Sequence, residues 1–151
     1  MRKHQEGFSL IELLIVVAII LIIAAIAIPN LLRSKIAANE ASAVGTMRTI
    51  NTASIMYSTT FGNYPAALTN LGPSTSPTST AADLVDQPVA SGTKSGYRFS
   101  YTAASSYLTY SITASPTTLG VTGQRYVFTD QTGVIRYNLT TTASSTDAPL
   151  S

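Results

Sequence analysis

The chain contains no cysteine. That excludes disulfides, thiol redox chemistry, thiolate metal sites and a lipidated cysteine, but not export, since many exported bacterial proteins lack disulfides. Its single histidine is His4, so no Ser-His or Cys-His catalytic pair can form in the body of the chain. Charge is scarce: 11% of the residues are Asp, Glu, Lys or Arg, against about 25% in an ordinary globular domain. The net charge is +2, and nine basic side chains scattered over 151 residues make no nucleic-acid footprint. Beyond the first forty residues the carboxylates thin out to Asp83, Asp86, Asp130 and Asp147, preceded by Glu40. There is no Gly-rich phosphate loop and no metal-ligand cluster. The expectation is a protein that is not an enzyme and carries no cofactor.

What the sequence does have is one long apolar run. Every residue from Leu13 to Ile28 is apolar, and extending the run from Phe8 to Leu32 admits only Ser9, Glu12, Pro29 and Asn30 as interruptions. As a helix those residues span roughly 37 Å, enough for a bilayer core of about 30 Å. A buried core helix does not account for so uniform a run. A secretory signal peptide competes: Arg2 and Lys3 supply a basic start and Ala25-Ile26-Ala27 a small-residue cleavage pattern. Against it stand the length of the run and Glu12 inside it. A charge at the centre of a membrane helix costs about 2.5–3.5 kcal/mol on insertion scales. Glu12 lies only about 6 Å along the axis from Phe8, within snorkelling distance of the interface, yet an ionisable residue there is a functional candidate. Basic residues on the two flanks, Arg2 and Lys3 against Arg33 and Lys35, nearly balance. The Ser/Thr-rich remainder, which reads as an exported domain, therefore places the N-terminus inside.

The stretch "GFSLIELLIVVAIILIIAAIAIPNLLRSK", Gly7 to Lys35, resembles the N-terminus of type IV pilins and pseudopilins. The resemblance rests on a short basic leader ending in Gly7, on Phe8, on Glu12 at the fifth position after the leader, and on Pro29 about two dozen residues in. It implies that a prepilin peptidase cuts between Gly7 and Phe8 on the cytoplasmic face of a bacterial inner membrane, and that the Phe8 amine is then N-methylated. It also implies that the apolar helix stays intact, first as a membrane anchor and then as the packed core of a homo-oligomeric filament built by an inner-membrane assembly platform. Glu12 would meet the positive Phe8 amine of a neighbouring subunit and set axial register, because a carboxylate in a filament core needs a partner. Pro29 removes a backbone donor and would kink or locally loosen the helix. Many relatives carry a second breaker, a Gly, midway through the run; this chain has Leu21 there.

Past Pro29 the helix is expected to run to about Thr60. Ile36, Ala43, Met47, Ile50, Tyr57 and Phe61 recur in three- and four-residue steps and form one stripe, which Ser54 interrupts. Gly62 and Pro65 end it, and "TFGNYPAALTNLG", Thr60 to Gly72, is similar to the loop that follows the pilin helix. Leu71 to Thr80, rich in Pro, Ser and Thr, reads as an exposed loop whose hydroxyls are candidates for sugars. Asn138-Leu139-Thr140 fits a glycosylation pattern. Asp83 and Asp86 could share a calcium ion, as some pseudopilins bind one, but two acids alone read better as solvated charges. From Gly96 the pattern turns to alternation: "YRFSYTA", "SYLTYSITA", "QRYVFTD" and "VIRYNL" read as four strands of an antiparallel meander, the last two joined by a turn at Asp130 to Gly133. "TTTASSTDAPLS" reads as a frayed polar tail. The disulfide with which well-known proteobacterial pilins close this region is impossible here.

The sequence thus predicts an α+β fold in which a long N-terminal helix packs on a small antiparallel sheet. Its parts are a leader over 1–7, a transmembrane and filament-core helix over 8–32, an amphipathic continuation over 33–61, a loop region over 62–95, a sheet over 96–140 and a tail over 141–151. The leading function is the pilin of an extracellular type IV pilus. Alternatives are a pseudopilin of a type II secretion system and, of another class, a membrane-anchored or secreted binding module.

Overall fold

A computed structural model describes residues 7–150; residues 1–6 of the leader and Ser151 of the tail lie outside the described residues. The architecture is α+β. A helix, α1 (Leu10–Phe61), is followed by a short 3-10 helix (Leu68–Leu71), a helical turn α2 (Gln87–Ala90) and five strands. These are β1 (Thr93–Lys94), β2 (Tyr97–Ala103), β3 (Tyr110–Pro116), β4 (Tyr126–Asp130) and β5 (Arg136–Asn138). The chain divides into two units, residues 1–34 and 35–151.

In the first unit every side chain from Phe8 to Leu32 is exposed except that of Ala24, which is half-buried. Sixteen Leu, Ile and Val residues between Leu10 and Leu32 are among them. Covering one such side chain is worth about 1.5–3 kcal/mol, so leaving all of them in water forgoes tens of kcal/mol, more than the roughly 5–15 kcal/mol that holds a domain together. This segment requires lipid or other helices around it.

The second unit builds its core on the remaining part of α1. Ile36, Ala43, Met47, Ile50, Ala53 and Tyr57 are buried, Phe61 is half-buried, and Tyr57 and Phe61 rings meet at 4.6 Å. The five strands form an antiparallel meander in the order β1 to β5. Because residues opposite one another share a face, register assembles the inner face in rows. One row runs Phe99, Ala114, Val127, Tyr137; the next runs Tyr101, Ile112, Thr129. Arg98, Ser100 and Thr102 point outward. The β1–β2 connection is a two-residue turn in which Ser95 and Gly96 both take positive φ (50° and 74°), the twist-matched hairpin geometry.

The inner face also carries polar groups, and most are satisfied. Asn51 on α1 donates to Thr129 Oγ1 (3.0 Å) and accepts from the Tyr110 hydroxyl (3.0 Å). Tyr101 stacks on Tyr110 with centroids 5.2 Å apart, and Tyr64 meets Tyr110 edge-on at 4.7 Å. Burial pushes the Tyr110 and Tyr97 hydroxyls up to about 12. Among the described residues, Ser54 Oγ and Tyr101 Oη are buried without a hydrogen-bond partner. Ser54 therefore does interrupt the stripe, at a cost of about 1–3 kcal/mol for an unmet hydroxyl.

The structure departs from the sequence expectations in four places. Leu108 is not in a strand: residues 104–109 are consumed by the β2–β3 reversal, closed by Ala104 N–H to Thr109 O (2.9 Å), and Leu108 is left 67% exposed. The segment between helix and sheet contributes Leu68, Leu71, Ala82, Val85, Val89 and Ala90 to the core. Leu71 and Gly72 are accordingly buried, and the exposed Pro/Ser/Thr stretch begins only at Pro73. A fifth strand, β1, extends the sheet.

The tail, finally, is not frayed. Tyr137 N–H donates to Ala148 O (3.1 Å), Leu150 N–H to Ile135 O (2.8 Å), and Ala143 is buried. Asp147 closes this return by accepting from Ser144 N–H (2.7 Å), Asn138 Nδ2 (2.9 Å) and Ser144 Oγ (3.1 Å). Arg136 meanwhile donates to the Asp147 carbonyl (2.8 Å). Asn138 Nδ2, the atom a sugar would occupy, is thereby committed to Asp147. The Ser144 amide first, and then the Asn138 side chain, hold the Asp147 carboxyl below its ordinary 3.8.

Two tests follow from this packing. A Cβ on Gly123 would fall on the buried Tyr97 ring, whereas one on Gly45, in the middle of α1, meets nothing within 4 Å. Gly123→Ala is expected to destabilise the second unit by about 1–3 kcal/mol, and Gly45→Ala to stabilise it by about 0.5–1 kcal/mol, as read from urea unfolding in detergent. For the tail, a depressed carboxyl contributes stability that is present above its unfolded value and lost as pH falls through the lower folded value. Asp147→Ala should therefore loosen residues 144–150 at neutral pH. Followed by their amide resonances, the difference from the unmutated chain should vanish as the pH drops below 3.8 through that lowered value.

Candidate functional site

The candidate site is the entry into α1. Gly7, Phe8 and Ser9 precede the helix and have no regular structure. A Cβ built on Gly7 meets no atom within 4 Å. Packing among the described residues places no demand for glycine at this position. Phe8 is 78% exposed. The Gly7–Phe8 bond thus lies in exposed chain without regular structure.

Ser9 occupies the N-cap position and Glu12 the third helical position, the S-x-x-E spacing of a capping box. Ser9 N–H donates to Glu12 Oε2 at 2.9 Å, and the first helical bond, Leu13 N–H to Ser9 O, closes at 3.2 Å. The carboxylate also sits in the first turn, where the partial positive charge of the helix end favours it. Glu12 is therefore held within its own chain by the helix start. Oε2 takes the Ser9 amide, and no other hydrogen bond to the carboxylate is seen among the described residues. The capping box is readable from "SLIE" alone, but the reading of Glu12 as a register charge passed over it.

Pro29 lies inside α1, some 25 Å of helix rise beyond Glu12, so it shares no local site with the entry dipeptide. Lacking an N–H, it leaves the Ala25 carbonyl without its helical donor. One residue on, the Asn30 carbonyl receives the Ser34 hydroxyl at 3.0 Å, a local bond that often accompanies bending. Of the loop acids, Asp86 is paired with Lys94 at 2.9 Å, and Asp83 accepts from Ser74 N–H at 3.4 Å. No group of three or more His, Cys, Asp or Glu suited to a metal occurs among the described residues.

An exposed apolar helix with a capped carboxylate at its head, and a unit in which a helix packs on an antiparallel meander, define an α+β protein. Residues 2–28 match the family model described as the prokaryotic N-terminal methylation motif. Beyond that motif, the chain is similar to type IV pilus and type II secretion proteins. It is 37% identical over 86 residues to the type IV wide pilus major component PilA4 of Thermus thermophilus, a match covering 55% of this chain and 66% of that protein. It is 29% identical over 97 residues to the type II secretion system core protein G of Aeromonas hydrophila, covering 64% of this chain and 61% of that one. With the same-named protein of Dickeya chrysanthemi it shares 31% over 72 residues, covering 48% and 47%. The matched region thus spans between about half and two thirds of these relatives. No solved structure gives a significant match.

The cap itself can be tested. Glu12→Ala removes the acceptor for Ser9 N–H and should fray the first turn by about 0.5–2 kcal/mol, while Glu12→Gln keeps a side-chain oxygen and most of the protection. Amide exchange at residues 9–13 of the detergent-bound chain reads the difference.

Proposed function

We propose that the chain is a structural, non-catalytic subunit of a type IV pilus. One observation carries this reading: an apolar helical face from Phe8 to Leu32 exposed along its length, headed by a carboxylate rather than by an uncharged anchor. Lipid covers that face in the precursor, held in a bacterial inner membrane. In the filament at the cell surface, the same segments of neighbouring copies cover one another. Leu against Leu gains little in lipid, so the segment can leave the bilayer, while in water its burial is strongly favoured.

In this reading a prepilin peptidase cuts Gly7–Phe8 and the new Phe8 amine is methylated. An inner-membrane assembly platform then adds the subunit to the filament. Glu12, already fixed by Ser9, offers its free lone pairs to the Phe8 amine of an adjacent copy and sets axial register. Pro29, beside the Ser34 bond to Asn30, marks where the helix can bend or loosen. The similarity to two type II secretion core proteins supports a second reading, a pseudopilin of a secretion system. Long filaments on cells at native expression favour the pilus; filaments only on overexpression favour the pseudopilus.

The deciding measurement is the mass of the mature N-terminal peptide. A methylated peptide starting at Phe8 is expected. One starting at Ile28, or an uncut N-terminus, would sink the proposal in favour of a secreted or anchored binding module. Assembly separates cap from charge: Glu12→Ala and Glu12→Gln should both insert into membranes and both fail to form filaments. Normal filaments from Glu12→Gln would show that the cap, and not the charge, is what assembly needs.

A further inference from the structure

Two surface features of the second unit serve neither its core nor its tail. The first is a groove of about 400 Å³ beside residues 37–48 of α1. Its lining is largely apolar, with Ala41, Val44, Val127 and Leu150 in it, and it includes two arginines. Arg125 is already engaged: its Nε lies 3.4 Å from Glu40 and its guanidinium 5.2 Å from the centre of the Tyr137 ring. Glu40 is engaged in turn, accepting from Gln124 N–H (2.8 Å). Arg48 is exposed and has no ion pair among the described residues. The groove therefore offers apolar surface and one unpaired cation.

The second feature is the tip of the β2–β3 reversal. Tyr107 and Leu108 are 41% and 67% exposed, yet the backbone that shows them is firmly held. Tyr107 N–H donates to Ala104 O (2.8 Å), and Tyr64 N–H donates to Tyr107 O (2.9 Å). Tyr107 also sits at φ 55°, a left-handed conformation that bulky residues rarely adopt. Such strain collects where a surface has a task, and here no burial of the side chain accompanies it. A carboxylate stands close by, since Asp130 lines the same surface hollow as Ala104 and Thr109. Asp130 has no ion pair among the described residues, and of its two carboxylate oxygens only Oδ1 accepts hydrogen bonds there, both from Thr132.

The two features are complementary: an apolar groove with an unpaired arginine, and an apolar tip with an unpaired aspartate. One copy cannot join them to each other. The tip is tied to Tyr64, beyond the end of α1 at Phe61, whereas the groove follows α1 around Ala41 and Gly45. From Gly45 to Phe61 the helix rises about 24 Å. We infer that the Tyr107–Leu108 tip of one copy seats in the groove beside Ala41 and Val44 of a second copy, with Asp130 of the first meeting Arg48 of the second. The inference rests on the filament reading given above and names a contact that second units make within it. Because the two patches differ, the contact is heterologous. It leaves a free tip on one copy and a free groove on the other, so it repeats from copy to copy without closing in a pair. Opposite charges at its edge select this partner surface and this orientation.

The chain has no cysteine, so introduced thiols report without background. Full-length chains carrying Ala41→Cys, Leu108→Cys or both would be co-expressed with an equal amount of unmutated chain, so that filaments form even where a cysteine weakens assembly. The filaments would then be oxidised with copper–phenanthroline and run on non-reducing gels. The double variant is expected to give roughly tenfold more covalent dimer than either single variant, because a disulfide forms only where Cβ atoms come within about 4.5 Å. Arg48→Glu added to the double variant should cut the dimer roughly fivefold, and Asp130→Lys added to that should restore it. Filaments that carry the double variant but yield no dimer would overturn the inference and leave the pilus reading standing. So would dimers from Leu108→Cys alone, which would mean that tip meets tip. Dimers formed instead by Ala41→Cys with Ile22→Cys would give the groove to the apolar run of another copy and overturn it too. If the unmutated chain makes no filament of any length, the filament reading and this inference fall together.

Discussion

One helix carries two unlike burdens, and the rest of the structure depends on how they are divided along it. Over residues 36–57, α1 hides a single stripe, with Ala43, Met47 and Ile50 fully enclosed, and the meander is shaped around that stripe. Over 10–32 it hides none of its side chains beyond a half-buried Ala24. The burial available in the second unit pays for that unit's order alone; the first unit must find its cover outside itself. Both the buried stripe and the exposed run are therefore consequences of one sequence gradient, from apolar on all sides to apolar on one.

Charge is scarce in this protein, and each well-placed charge has a structural task. Glu12 accepts the Ser9 amide and starts the helix; Glu40 accepts the Gln124 amide and lies 3.4 Å from Arg125 Nε; Asp147 gathers the tail. In each case the carboxylate satisfies backbone N–H groups, a use worth more than an exposed ion pair such as Asp86–Lys94. The Asp147 cluster is also how a chain without cysteine closes its C-terminal region. A carboxylate with an amide and two side-chain donors does by hydrogen bonding what a disulfide would do by a covalent bond, and unlike a disulfide it responds to acid.

Much of the fold was legible before any coordinates. The helix was expected to end near Thr60 and ends at Phe61, and "YRFSYTA" matches β2 residue for residue. Both rest on local periodicity, which a short window of sequence records. In the candidate site, Glu12 stood out as a charge within an apolar run and the Gly7-Phe8 dipeptide through the resemblance to pilins, and the capping box was equally visible in "SLIE". The misreadings share a cause. The tail looked frayed because its composition is polar, yet its order comes from Tyr137 and Asp147. Leu108 fits a strand pattern, yet the reversal before β3 consumed it.

The sequence by itself determined the apolar run, its head group, the stripe on α1 and the alternation of the strands, because each is a periodic or nearest-neighbour property of the chain. Only the tertiary structure decided which side chains of residues 62–95 enter the core, how the tail is held, and that the β3–β4 loop is fastened to Asn39 and Glu40. Those last two bonds join residues 83 and 84 positions apart. Their partners are a backbone carbonyl and a backbone amide, groups that every residue owns, so no side-chain pattern announces them and only the folded chain brings them together.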